Sequence, residues 1–367
     1  MALLFNMFAI ALLCAGWGIL DARAQMNPPS FELMEATVPQ LQWALSAGIV
    51  TSHDLVAQHI ARIEAYDQHG PALNAISVTN GNALAEADAR DAEHRTGVRP
   101  GPLNGIPIIV KDNYDTRDLQ TAGSVGHIPK SYTDFLQLTG LRGARIGLLT
   151  ALLGSDPADA EVASVVRGAV DEMKGQGVDV VEVTIPGLAD LLTDRANGFL
   201  VLRQDFKFDL NAYLAAHPSA PVRTLDEVLA SGKFHPAIET NLRNSQAVES
   251  RDTQEYLAHI VKRNVLREAI VKAIADNRVD ALAYPTIRRK ANVIGQMQMG
   301  TNCHLSANSG LPAISVPGGF TPDGLPVGVE LLGRAWSEPQ LIKFAYAYEQ
   351  ATRHRRPPAS TPVLDRR

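Results

Sequence analysis

The stretch from Arg145 to Ile185 places the tightest limit on what this chain can fold into. Ile146 to Leu149 is a short apolar run of strand character. Asp156 to Gly175 sets Val162, Val165, Val166, Ala169, Val170 and Met173 along one stripe of a helix, and Val178 to Ile185 returns to strand character with Val180, Val181 and Val183. Strand, helix, strand in that order predicts a crossover and parallel pairing inside an α/β sheet. Farther on, a mostly helical region has its clearest helix between Thr253 and Asn277. Ala281 to Tyr284, Ala313 to Val316 and Val327 to Leu332 read as strands, and Glu338 to Thr352 as a closing helix. Before Arg145, residues 36–67 carry two helical patterns: Leu41, Ala44 and Leu45 in the first, and Leu55, Val56, His59, Ile60 and Ile63 in the second, with Ser52 placed to cap it. Leu73 to Val78 reads as a short strand, Asn82 to Thr96 as a charged surface helix, and Ile106 to Val110, short and β-branched, as a buried strand.

The first 24 residues read as a targeting segment rather than as part of the fold. Met1 to Leu20 is apolar but for Asn6, and Ala22, Arg23 and Ala24 follow as a small-x-small cleavage site, so a secretory signal cut after Ala24 is expected. This places the protein outside the cytoplasm, periplasmic or secreted, with no stable membrane insertion once the signal is removed; the alternative is an uncleaved N-terminal membrane anchor. Of the two cysteines, Cys14 lies in that segment, which leaves Cys303 alone and without an intrachain disulfide. A net charge of −5 argues against general nucleic-acid binding, and the small basic cluster Arg288, Arg289 and Lys290 reads as a solvated face or loop.

The chemistry-bearing run is Gly101 to Thr116, GPLNGIPIIVKDNYDT, with Gln120 to Ser124 after it. Prolines and glycines shape a turn, and an apolar strand then delivers Lys111 and Asp112 at its end. A lysine emerging from such a strand is poorly solvated, which lowers its pKa and suits it to act as a base near neutral pH. Taken alone, Lys111 and Asp112 fit an exposed pair at a strand end; the whole run is more specific. It resembles the opening of the amidase signature, a family of amide hydrolases. The segment Asn74, Ala75 and Ile76 and the later run Leu305 to Arg334, LSANSGLPAISVPGGFTPDGLPVGVELLGR, resemble the same family.

That resemblance implies an α/β fold with a mixed sheet flanked by helices, and chemistry without a cofactor. It also implies that Lys111 corresponds to the lysine that works through one serine to activate a second, nucleophilic serine. Those serines sit in a long Gly- and Ser-rich segment in the family. Here Ser124 is followed at once by Val125 to Ser131, and no Gly-Gly-Ser-Ser run occurs in the 367 residues. The expectation is a single domain over residues 25–367, in which 25–124 is joined to 125–367 across a deletion, so that the sheet is left incomplete.

The substrate class the family implies is a small-molecule amide, acted on at its C–N bond; a chain lacking both serines is expected to be impaired or inactive. Two other readings stand beside this one: a relative that binds amide ligands without turnover, and a truncated gene product. Ser124 reads as a turn residue rather than a replacement nucleophile. Ser306 and Ser309, flanking Asn308, fit a turn, and the family places this region along its binding cleft. His53 with His59, and Cys303 with His304, match no closed zinc pattern, and no metal is expected.

Overall fold

The computed structural model describes residues 31–73, 75–76, 78–96, 101, 103–110, 129, 131–193 and 199–364. The expected signal at 1–24, together with Asn74, Lys111, Asp112, Ser124 and the junction at Val125, lies outside the described residues. The chain divides into two compact units, Met1–Leu119 with Pro357–Arg367, and Gln120–Arg356.

The first unit is helical. Helix α1, Val38–Ser46, starts at Thr37, whose hydroxyl accepts from the Gln40 N–H while the Gln40 side chain accepts from the Thr37 N–H. Helix α2, Ser52–Arg62, is capped in the same manner by Thr51 and Asp54. Ser52 is therefore not the cap. It is the first helical residue and is buried, because Thr51 holds the extended backbone a cap requires. Helix α3 spans Ala83–Arg95, as expected, and its Asp91 carboxylate accepts from the Ser52 and His53 N–H groups at 2.6 and 3.0 Å. Leu41, Ala44, Val50 and Leu55 form the core of this unit.

Two expected strands are absent here. Among the described residues of Leu73 to Val78 there is none, because the Asp67 carboxylate captures the Ala75 and Ile76 N–H groups at 2.6 and 3.2 Å. Ile106 to Val110 is neither strand nor buried: Ile108, Ile109 and Val110 are 59, 73 and 47% exposed. A strand exists only through its ladder, and the described residues of this unit contain no strand for the run to pair with.

The second unit is a layered α/β structure. Its elements in chain order are β1 (Arg145–Leu149), α4 (Ala160–Gly175), β2 (Asp179–Val183), α5 (Leu188–Thr193), α6 (Phe199–Ala216), α7 (Leu225–Ser231), α8 (Glu239–Gln246), α9 (Gln254–Asp276), β3 (Ala281–Pro285), α10 (His304–Ser309), β4 (Ala313–Phe320), β5 (Pro326–Leu332) and α11 (Glu338–Thr352). The sheet order is β2-β1-β3-β5-β4. Strand β1 pairs in parallel with both β2 and β3, and β5 runs antiparallel to β3 and β4, so the sheet is mixed.

Alternation along the strands divides the core in two. One face packs Ile146, Leu148, Ala281, Ala283, Val329 and Leu331 against α4 and α11; the other packs Leu149, Val183, Leu282, Tyr284 and Leu332 against α9 and α5. The expected stripe of α4 is the buried one, with Val165 only partly covered. At the outer strand β4, Gly328 of β5 turns its carbonyl to Thr286, away from β4, so its partner Pro317 points its imide nitrogen to the open edge. A proline there removes one donor from an edge that no other strand covers among the described residues.

Candidate functional site

Register brings the chemistry of the second unit together. Ser315 of β4, Glu330 of β5 and Tyr284 of β3 lie side by side across three strands, and therefore on one face. Glu330 is 6% exposed, a carboxylate inside an apolar strand. Among the described residues no cation lies within ion-pair distance of it; two hydroxyls satisfy it instead. The Tyr284 hydroxyl donates to Glu330 Oε1 at 2.7 Å and the Ser306 hydroxyl to the same oxygen at 2.9 Å. This is the compensation a buried charge needs. Burial, and then the neighbouring Glu330 charge and hydrogen bond, push the Tyr284 phenol far above its ordinary range.

One step along the same face, Thr286 Oγ1 and Ser315 Oγ are 2.6 Å apart. Both crowd Gly328, where an added Cβ would stand 2.9 Å from each oxygen, so glycine keeps this part of the surface open. The result is a floor of three hydroxyls, from Ser306, Thr286 and Ser315, with Glu330 beneath.

Helix α10, which carries Ser306, is fixed from both ends. Before it, the buried Asn302 donates from Nδ2 to Leu152 O at 3.0 Å and Pro285 O at 2.7 Å. That bridge joins the chain just past β1 to the last residue of β3, at the carboxyl ends of the adjacent parallel strands between which the strand order reverses, where α/β sheets place ligand sites. After it, Arg263 of α9 donates to Ala307 O and Asn308 O at 3.3 and 3.1 Å, and Arg267 donates to Ser309 O at 2.5 Å. Cations on the last carbonyls of a helix are where its dipole favours them. Gly310 closes the helix at φ +64°, where an added Cβ would stand 2.7 Å from the Arg267 guanidinium.

Of the two serines the sequence singled out, the structure separates the roles. Ser309 is fully buried and serves the turn, donating to Ser306 O at 3.2 Å, whereas Ser306 faces Glu330. Cys303 is exposed and its sulfur accepts from Thr301 Oγ1 at 3.1 Å; burial pushes the His304 imidazole down. Lys111 and Ser124 lie outside the described residues. Among the described residues, no group of three or more His, Cys, Asp and Glu side chains is gathered in a way that could hold a metal ion.

Arg288, Arg289 and Lys290 lie in a loop, one of the two expected settings, and are held there by ion pairs. Arg289 reaches Asp159 at 2.7 Å and Asp156 at 2.9 Å, Arg288 lies 3.5 Å from Asp159, and Lys290 reaches Glu161 and Asp323 at 3.0 and 2.9 Å. Sequence reasoning missed Tyr284, Thr286, Asn302, Ser315 and Glu330. The one available signal was Glu330, an acid in the middle of the apolar run Val327 to Leu332.

The arrangement offers hydroxyls to a polar ligand. Ser306 Oγ has the Glu330 carboxylate at 2.9 Å and the Cys303 carbonyl at 3.3 Å as its acceptors.

The amidase family model matches residues 54–134 and 127–342 of this chain. A protein of Arabidopsis thaliana named as a probable amidase is 28% identical over 256 residues, covering 67% of this chain and 45% of that protein. The indoleacetamide hydrolase of Rhizobium radiobacter is 31% identical over 234 residues, covering 58% of this chain and 47% of that enzyme. This chain thus spans about half the length of the curated relatives it matches. Among solved structures, the native peptide amidase of Stenotrophomonas maltophilia superposes with a TM-score of 0.77 at 24% identity, over 89% of this chain and 99% of that one, so the two share a fold. With the family model matching well over half of its residues, the chain belongs to the amidase family.

Proposed function

We propose that this chain descends from a hydrolase of small-molecule amide C–N bonds and, as it stands, lacks the nucleophile for that reaction. One observation carries the proposal: no Gly-Gly-Ser-Ser run exists in the sequence, and the family match falls into two stretches that meet at residues 127–134, next to the junction of Ser124 and Val125. The half-length coverage of the relatives supports an internal loss, with 25–124 joined to 125–367 and an incomplete sheet. In this reading Lys111 is the remaining base. Amide hydrolysis needs a nucleophile, its base and oriented donors for the oxyanion, and removing the nucleophile from such a unit costs on the order of a million-fold in turnover.

A serine-reactive fluorophosphonate probe tests this directly. The expected result is no stoichiometric labelling; full labelling that disappears in Lys111→Ala would overturn the proposal. Sequencing the locus across the codons for Ser124 and Val125 separates a genuine loss from a truncated gene product.

A second reading is favoured by the hydroxyl floor over Glu330: an amide-binding relative without turnover. It expects a small amide such as indoleacetamide to raise the thermal midpoint without being consumed, and Ser306→Ala to reduce that rise. Export belongs to the same proposal, since residues 1–24 match a secretory signal in composition; N-terminal sequencing of the native protein should begin at Gln25.

A further inference from the structure

The loop from Ile287 to Thr301, between β3 and α10, takes no part in the hydroxyl floor, yet it has a definite construction. From Ala291 to Cys303 the sequence contains no charged residue. Its two ends are joined, with Arg288 N–H donating to Gly300 O at 2.8 Å and Ile287 bridged antiparallel to Thr301. Inside the loop, polar side chains turn onto the loop's own backbone. Asn292 donates to Met297 O at 3.0 Å and accepts from Val293 N–H at 2.9 Å. Gln298 accepts from Asn292 N–H at 2.9 Å and donates to Met299 O at 2.8 Å and Lys290 O at 3.2 Å. The apolar side chains go the other way: Val293, Ile294, Met297 and Met299 are 69, 93, 80 and 53% exposed.

Scattered exposed hydrophobic residues need no explanation, but four on one tip form a patch. Meeting its backbone needs from within is what a loop must do to leave water at low cost. A folded protein partner is usually gripped by aromatic or arginine anchors, and this tip has neither. At its base, Arg288, Arg289 and Lys290 are already held by Asp156, Asp159, Glu161 and Asp323, so no spare positive surface is offered to anionic headgroups. Residues 2–20 also carry no charged group and give the chain a route to a bilayer. No helix among the described residues is long and apolar enough to cross one.

We infer that the tip from Val293 to Met299 is a peripheral membrane contact, dipping its four apolar side chains into the interface of a zwitterionic bilayer. The test is flotation with phosphatidylcholine vesicles, using residues 25–367, which hold every described element. Three proteins are compared: the parent, Ile294→Asp with Met297→Asp, and, as a control for added charge, Leu257→Asp with Val261→Asp on the exposed face of α9. The parent and the α9 variant should float equally, and the tip variant should lose vesicle binding at least tenfold with an unchanged melting curve. Adding anionic lipid or salt should leave the parent's binding as it was. A parent that stays with the lipid-free fraction, or a tip variant that floats like the parent, overturns the inference. So does a tip-dependent dimer in sedimentation velocity without vesicle binding, which would assign the patch to a second copy of the chain.

Discussion

The two units differ in how far each completes its own core. In the second, both faces of the sheet are covered: α4 and α11 close one side and α9 the other, with Phe344, Tyr348, Leu266 and Ile270 almost wholly removed from water. In the first, α1 and α2 hold a cluster built on Leu41, Ala44, Val50 and Leu55, and the most apolar run among the described residues, Ile106 to Val110, is left largely in solvent. Both blocks match the same family, so the difference does not lie in ancestry. It lies in which block holds its own strand partners. Among the described residues, the C-terminal block has five strands within Gln120–Arg356, whereas the N-terminal run has no partner strand in its own unit. A segment missing at the junction would therefore harm the first unit more than the second.

The largest test of that contrast is Phe344→Ala. Emptying this site in a closed core should cost about 3–5 kcal/mol. Hydrogen exchange should show the loss in the strands of the second unit, with the amides of α1 to α3 unchanged; equal loss of protection in both units would mean that they unfold as one. Next is Tyr284→Phe, which leaves Glu330 with Ser306 as its one remaining hydroxyl donor among the described residues and should lower stability by about 1–3 kcal/mol in chemical denaturation. An unchanged midpoint would show that the carboxylate finds another partner. In the first unit, Thr51→Ala removes the α2 cap and should cost about 1 kcal/mol, seen as faster exchange in the first turn of α2.

These contrasts explain which parts of the molecule could be read from the sequence. Helices α4, α9 and α11 were legible because each is long, carries its own start signal or apolar stripe, and needs only one surface to pack on. The strands Arg145–Leu149 and Asp179–Val183 were legible through the helix between them. Ile106 to Val110 looked like a strand because its composition is that of one, but composition cannot supply the neighbour. Leu73 to Val78 failed for a local reason, the capture of its N–H groups by Asp67. The site failed for a topological one. Glu330 is 46 residues from Tyr284 and 24 from Ser306, and the three meet only through strand register and the placement of α10. No spacing rule along the chain connects them.

Acid should also distinguish the units, with a smaller effect because the groups are exposed. The hydrogen bond from Ala158 N–H, and then Arg289, hold the Asp156 carboxyl below its usual range; Thr321, and then Lys290, do the same for Asp323. A carboxyl with a depressed folded-state pKa contributes stability that is complete above its ordinary value, near 4, and is lost as the pH falls through the folded-state value. The melting temperature of the second unit should therefore drop as the pH is taken below about 4, and Asp156→Asn with Asp323→Asn should flatten that drop.

The smallest expected change is the one that discriminates most sharply. If Ile109 were the buried strand residue its sequence suggests, placing a carboxylate there would cost several kcal/mol through an unpaired buried charge. With Ile109 73% exposed, Ile109→Asp should move the denaturation midpoint by no more than about 0.5 kcal/mol. It should also slow aggregation, because a charge now interrupts an apolar run with no strand to cover it. A large loss of stability would place Ile106 to Val110 inside a core and remove the contrast between the units. A neutral effect on folding with improved solubility would show that this run, strand-like in composition, is not buried in a sheet.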